Sequence, residues 1–278
     1  DNTMLHETIT ILDGGFEARL HTYILDNSEQ IDPHRKHPLV LICPGGGYRL
    51  TSDREAEPVA IQFLAQGYHA CVLRYSVAPA HFPVALSQVA KAIAHIRRNA
   101  EVWHVDADRI VVAGFSAGGH LAASIGTFWH ADFLSERIGL LSEDIRPNGL
   151  ILCYPVITTG EGVHESSFEN LLGGLVNNQK ARESVSLENQ VTSSMPPVCL
   201  WHTYPDQTVP LENALVLMEA LRRKDIAFEA HIYPKGKHGL SLGTVESSFI
   251  GGDGADIVPS VTSWISLAGR WIGELVVC

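Results

Sequence analysis

The stretch Arg109-Ile110-Val111-Val112-Ala113-Gly114-Phe115-Ser116-Ala117-Gly118-Gly119 decides how this chain is read. Residues 109–113 form a short apolar, β-branched run, which predicts a buried strand. An Ala-rich segment reaching about residue 128 predicts a helix. Between them, residues 114–118 have the form G-x-S-x-G. Strand, tight turn and helix together describe a turn sharp enough to hold Ser116 at strained backbone angles, with its hydroxyl clear of the sheet. The flanking glycines follow from crowding, because a Cβ at those positions would collide with neighbouring backbone.

Outward from this turn, strands and helices alternate. Pro38-Leu39-Val40-Leu41-Ile42-Cys43, His69 to Tyr75, Leu150 to Tyr154, Val198 to His202 and Ala227 to Tyr233 read as strands. A helix is expected from Ser52, because Ser52-Asp53-Arg54-Glu55 has capping-box form, with Gly67 ending it. Ala85, Val89, Ile93 and Ile96 mark a second helix. Leu215, Met218 and Leu221 are expected to form the apolar face of a helix over 211–224, and a closing helix covers roughly 260–276. Residues 8–12 and 16–23 flank the turn former Asp13-Gly14-Gly15 and predict a hairpin. Apolar strands separated by helices imply one α/β domain over 1–278, its mostly parallel sheet covered on both faces. The polar segment 157–194, after the sixth strand, reads either as a small cap-like insertion over the C-terminal edge of the sheet or as a long surface loop.

A serine hydroxyl needs a base to take its proton. Of the 14 histidines, His238 stands out by place, in a loop directly after the last strand. His120 lies one helical turn beyond Ser116 and His202 inside a strand, and both read as structural. Asp206 follows the preceding strand and is placed to orient the imidazole. Asp225 falls at a helix end and reads as a surface acid, whereas Asp253 and Asp256 come after His238. Pro44-Gly45-Gly46-Gly47-Tyr48 follows the first long strand, and its side-chain-free backbone can aim N–H groups at an oxyanion. Gly46 and Gly47 are the candidates, together with the N–H of Ala117. A phosphate-cradling role fits poorly, because no Gly-Lys-Ser/Thr follows the glycines.

Together these elements resemble the α/β-hydrolase esterases with an HGGG-type oxyanion loop, and within them the bacterial acetyl esterases that act on acetylated sugars such as xylo-oligosaccharides. The residues that carry the resemblance are 44–48, Arg74-Tyr75-Ser76-Val77-Ala78-Pro79, 114–120, Ser167-Phe168-Glu169-Asn170-Leu171-Leu172-Gly173, the Asp206 segment ending Val209-Pro210, and Lys237-His238-Gly239. Pro44 stands where the family usually has a histidine, and His202-Thr203 replaces a common His-Gly. The resemblance implies hydrolysis of short acyl esters through an acyl-enzyme on Ser116, without metal or cofactor, and Tyr48 is a candidate substrate contact. An arylformamidase or peptidase-like hydrolase on the same fold, or a non-catalytic binding homologue, are the alternatives.

The bulk numbers narrow the partners. With 20 basic and 31 acidic residues the net charge is −11, which disfavours nucleic acid and anionic membrane surfaces. The expected partner is a small-molecule ester, with homo-oligomerisation left open. Cys43, Cys71, Cys153 and Cys199 sit in apolar runs as free thiols, which points to a reducing, cytoplasmic setting.

Overall fold

The computed structural model describes residues 3–276. Eight strands form one sheet in the order β1-β2-β4-β3-β5-β6-β7-β8. They are β1 Thr8–Asp13, β2 Phe16–Tyr23, β3 His37–Cys43, β4 His69–Arg74, β5 Val105–Phe115, β6 Gly149–Cys153, β7 Val198–Thr203 and β8 Phe228–Tyr233. The β1–β2 hairpin closes through Gly14 and Gly15, both at positive φ, and β2 pairs antiparallel with β4. The other neighbours from β4 to β8 are all parallel. This is the α/β-hydrolase architecture, a mostly parallel sheet with an antiparallel pair at its N-terminal edge.

The period-2 alternation of the strands assigns successive residues to two separate cores. Leu39, Leu41, Ile110, Val112, Leu150 and Leu152 face one layer. That layer is built from α2 (Val84–Arg98), α3 (Ala117–Phe128) and α7 (Glu212–Arg223). Val40, Ile42, Val111, Ala113, Ile151 and Cys153 face the other. There α1 (Glu57–Ala65) and α8 (Trp264–Gly273) pack with Phe63, Trp264 and Trp271. Continuous apolar strands are what burial on both faces demands. The four cysteines at 43, 71, 153 and 199 are free and buried. Among the described residues, no helix is long and apolar enough to cross a membrane.

Two expectations need correction. The helix expected from Ser52 begins at Glu57, with proline in its first turn, and the Ser52 side chain makes no capping bond. Residues 53–55 form a separate short helical turn, held where it is because Glu55 is drawn into the interior. In α7 the buried face is Asn213, Ala214, Leu217, Ala220 and Leu221, and Leu215 is 48% exposed. Asn213 turns inward because its side chain accepts the N–H groups of Ile157 and Thr158 at 3.0 and 3.1 Å. That polar demand outweighs the hydropathy of Leu215.

Segment 157–194 carries α5 (Glu165–Leu172) and α6 (Gln179–Val185), with α4 (Asp132–Ile138) lying earlier, between α3 and β6. It lies against the C-terminal ends of the strands. Asn170 donates to the carbonyl of Gly47 at 2.8 Å, and the Val185 carbonyl lies 2.8 Å from His120 Nε2.

Candidate active site

Because β3, β5, β6, β7 and β8 are consecutive neighbours, their C-terminal ends deliver five loops in spatial order. These are the glycine loop 44–48, Ser116, Tyr154, Asp206 and His238. A crevice at the carboxyl ends of parallel strands is where α/β folds bind ligands.

Ser116 caps α3 with φ 55° and ψ −117°, a strained conformation for a residue with a side chain. The glycines around it answer real contacts. A Cβ on Gly114 would lie 2.1 Å from the Gly118 carbonyl oxygen, and one on Gly118 would lie 2.1 Å from that of Cys43. Strand, turn and helix therefore come too close for any other residue, and the strain at Ser116 is imposed from both sides.

His238 Nε2 is 2.8 Å from Ser116 Oγ, and His238 Nδ1 is 2.6 Å from Asp206 Oδ2. A carboxylate only accepts, so Nδ1 carries the proton and Nε2 presents its lone pair to the hydroxyl. Asp206 is buried, and its Oδ1 accepts the N–H groups of Thr208 and Val209 at 3.0 and 2.9 Å. Its two oxygens are thus fixed in different directions. The three residues named from their order in the chain converge on one hydrogen-bonded line. Asp225 is fully exposed, beside Arg222.

The two histidines read as structural, His120 and His202, have structural partners. His120 is fully buried, with Nδ1 2.8 Å from the Tyr48 hydroxyl and Nε2 2.8 Å from the Val185 carbonyl. Burial pushes its pKa down to about 4, with the Val185 carbonyl pulling the other way. His202 directs Nε2 at the Val209 carbonyl at 2.8 Å, and burial lowers its pKa. It is therefore neutral, and its 3.6 Å approach to Asp206 is a dipolar contact rather than an ion pair.

Gly46 and Gly47 have φ of 141° and 63°, and a Cβ on Gly46 would sit 2.2 Å from the Leu50 carbonyl oxygen. Among the described residues, their N–H groups have no protein acceptor. The first N–H of α3, at Ala117, is likewise left over by the helix pattern. The loop is clamped from below: Tyr75 Oη donates to the Pro44 carbonyl at 2.5 Å, and Arg74 donates to the Thr51 carbonyl at 2.7 Å and to Asp53 at 2.9 Å. The Arg-Tyr pair noted in the sequence thus serves the loop.

Tyr48, a candidate substrate contact, requires correction. It is 3% exposed, and its hydroxyl is engaged by His120. The left-handed backbone at Tyr48 turns its side chain into the core. Sequence reasoning missed four residues at the site. His164 and Asn170 come from segment 157–194 and line a cleft of about 550 Å³ with Gly46, Gly47, Arg49, Leu50, Ser166 and Glu169. Burial lowers the His164 pKa, the charge of His238 adds to this, and Asp206 opposes it. Glu55 and Tyr154 are buried beneath the glycine loop. Only the Ser-Phe-Glu-Asn motif signalled any of these; a Glu at the end of an apparent capping box points elsewhere.

A family model, BD-FAE, matches residues 29–221. The chain belongs to the BD-FAE family. Among curated relatives of this BD-FAE chain, endo-1,4-beta-xylanase B of Butyrivibrio fibrisolvens is 34% identical over 247 residues, covering 86% of this chain and 37% of the relative. Acetylxylan esterase of Xylanibacter ruminicola is 32% identical over 206 residues, covering 72% of this chain and 40% of the relative. The chain therefore spans well under half the length of these two proteins. Among solved structures, the acetyl ester-xyloside bifunctional hydrolase of Caldicellulosiruptor lactoaceticus is 36% identical, with a TM-score of 0.76 and coverage of 93% of this chain and 88% of that one.

Proposed function

We propose that the chain is a serine carboxylesterase that removes short acyl groups, acetyl above all, from a hydroxyl-rich alcohol such as a sugar. The observation that carries this reading is the hydrogen-bonded line Ser116–His238–Asp206, with Ser116 held at positive φ beside the unpartnered N–H groups of the glycine loop. Ser116 Oγ attacks the ester carbonyl as its proton passes to His238 Nε2. The charge that develops on the carbonyl oxygen is met by the N–H groups of Gly46, Gly47 and Ala117, and losing one such donor typically costs on the order of 10²–10³ in turnover. The C–O bond to the alcohol breaks, and the His238 proton goes to the leaving oxygen. Water then adds to the acyl-enzyme with His238 as base, and the acid leaves as Ser116 regains its proton.

Two things support the alcohol assignment. Arg49, His164, Ser166, Glu169 and Asn170 give the cleft polar side chains suited to hydroxyl groups. The relatives include an acetylxylan esterase and an acetyl ester-xyloside bifunctional hydrolase. The test is Ser116→Ala assayed on p-nitrophenyl acetate, with a loss on the order of 10⁶ in kcat expected. Retained activity in a folded Ser116→Ala protein overturns the nucleophile. A preference for long acyl chains in a p-nitrophenyl ester series, or for aryl formamides over acetylated xylo-oligosaccharides, overturns the substrate class.

A further inference from the structure

The buried carboxyl of Glu55 lies beneath the reacting groups and takes no part in the steps above. It is 4% exposed. Its Oε1 accepts the N–H of Gly45 at 3.0 Å, and its Oε2 accepts the Tyr154 hydroxyl. The Tyr154 oxygen in turn accepts the N–H of Ser241 at 2.9 Å. The Tyr154 ring stands edge-on to the His238 imidazole, 5.0 Å between centroids. One chain of bonds therefore runs from the oxyanion loop, through the residue that follows β6, to the loop that carries His238. The short turn bearing Glu55 is tied to the same loop, since Ser241 Oγ donates to the Arg54 carbonyl and Arg54 Nε to the Ser247 carbonyl, both at 2.6 Å.

The direction of these bonds requires two acceptors at residue 55. Gly45 N–H and Ser241 N–H can only donate, and because the Tyr154 oxygen already accepts from Ser241, its O–H must donate onward. An amide at 55 offers one acceptor and leaves one donor facing another. An apolar side chain leaves the Gly45 N–H and Tyr154 O–H buried without partners. Burial raises the Glu55 pKa, while its bonds to Tyr154 and Gly45 and the charge of His238 act against this. The arrangement is thus a costly group kept in the interior at the point where three loops meet.

We propose that Glu55, acting through Tyr154, is a positioning residue that sets the oxyanion loop against His238 for the esterase reaction. It touches neither substrate nor the reacting atoms. The proposal rests on the esterase reading. A displacement of about 1 Å in such a constellation can cost on the order of 10²-fold in rate.

The test compares Glu55→Gln, Tyr154→Phe and the double variant on p-nitrophenyl acetate, with each rate divided by the concentration of Ser116 titrated with a fluorophosphonate. Each single variant is expected to lose about tenfold or more in kcat per titrated site, with KM within about threefold. The double variant is expected to lose no more than the worse single one, because both break the same link. A residue that only supports the fold lowers the thermal midpoint and the titre but leaves the rate per titrated site unchanged. That outcome, or losses that multiply in the double variant, overturns the proposal. Should Glu55→Gln fail to fold, Tyr154→Phe decides alone, because it keeps the carboxyl and the ring and removes one hydroxyl. Ser116→Ala run alongside separates the two readings: activity there overturns the esterase assignment, whereas an inert Ser116→Ala beside fully active Glu55 and Tyr154 variants overturns only this inference.

Discussion

The site has two halves built on different principles. Ser116, Asp206 and His238 hang from the ends of β5, β7 and β8, and the strands beneath leave them little freedom. Asp206 receives two backbone N–H groups, and Ser116 is fixed by glycines that exclude any Cβ. The half supplied by residues 157–194 buries Phe168, Leu171, Leu172, Val185 and Leu187 in the core, accepts the Phe82 N–H at the Leu171 carbonyl, and reaches the site through side-chain bonds such as Asn170 to the Gly47 carbonyl and His120 to the Val185 carbonyl. The strand-borne half is constrained by backbone packing, which few sequences satisfy. Segment 157–194 is anchored by its apolar side chains, while its polar residues at the cleft meet the strand-borne half through single bonds worth about 1 kcal/mol each. On the proposed reading, chemistry belongs to the first and choice of substrate to the second.

The largest effect that sharpens this contrast comes from Asp206→Asn. The single amide oxygen is taken by the N–H groups of Thr208 and Val209, so its NH2 faces His238 Nδ1, the tautomer that bases Ser116 is lost, and kcat is expected to fall on the order of 10⁴-fold with the fold intact. Rates on p-nitrophenyl acetate, with circular dichroism as the folding control, check this. A loss under tenfold breaks the assignment of Asp206 as the orienting acid.

Asn170→Ala addresses the other half. One hydrogen bond of about 1 kcal/mol is removed, so kcat/KM is expected to fall about fivefold and not by orders of magnitude. Acetylated xylo-oligosaccharides should be affected more than p-nitrophenyl acetate, since on the proposed reading only a sugar extends along the cleft. Equal losses on both substrates would place Asn170 with the chemistry and dissolve the division.

The smallest effect is on stability. Burial pushes the pKa of His120 from 6.5 down to about 4, and that of His69 likewise to about 4. Between those values the unfolded chain binds protons that the folded chain refuses. Stability is therefore fully present above pH 6.5 and is lost as pH falls toward 4. His120 also joins the insertion to the glycine loop through Val185 and Tyr48, so the joint between the halves should loosen with it. Thermal midpoints at pH 7 and pH 4.5 should differ less for His120→Gln than for the parent. An unchanged difference would show that His120 is not among the groups that titrate.

What was legible in the sequence follows the same division. The turn at 114–119 could be read because backbone crowding restricts it to glycine, and Asp206 and His238 because strand order fixes where loops emerge. The continuous apolar runs Leu39 to Cys43 and Ile110 to Ala113 made the doubly covered strands legible. Glu55 was hidden because its spacing from Ser52 matches a commoner use, the capping box, which the Ser52 side chain does not make. Tyr48 misled because neighbouring a glycine loop says nothing about side-chain direction; a positive φ there turned it inward. Leu215 is displaced from its expected buried face by Asn213, because a buried amide with two backbone N–H groups to satisfy leaves no trace in hydropathy.

The aromatic packing beneath the site has an optical consequence. Trp201 and Trp264 stack with centroids 5.4 Å apart and planes 25° from parallel, and Trp201 meets Tyr154 at 5.1 Å. Tyr154 in turn abuts His238, so Trp201 lies one ring and Trp264 two rings from that imidazole. On the proposed mechanism, formation and decay of an acyl-enzyme at Ser116 should therefore be visible in intrinsic tryptophan emission, on substrates that carry no chromophore.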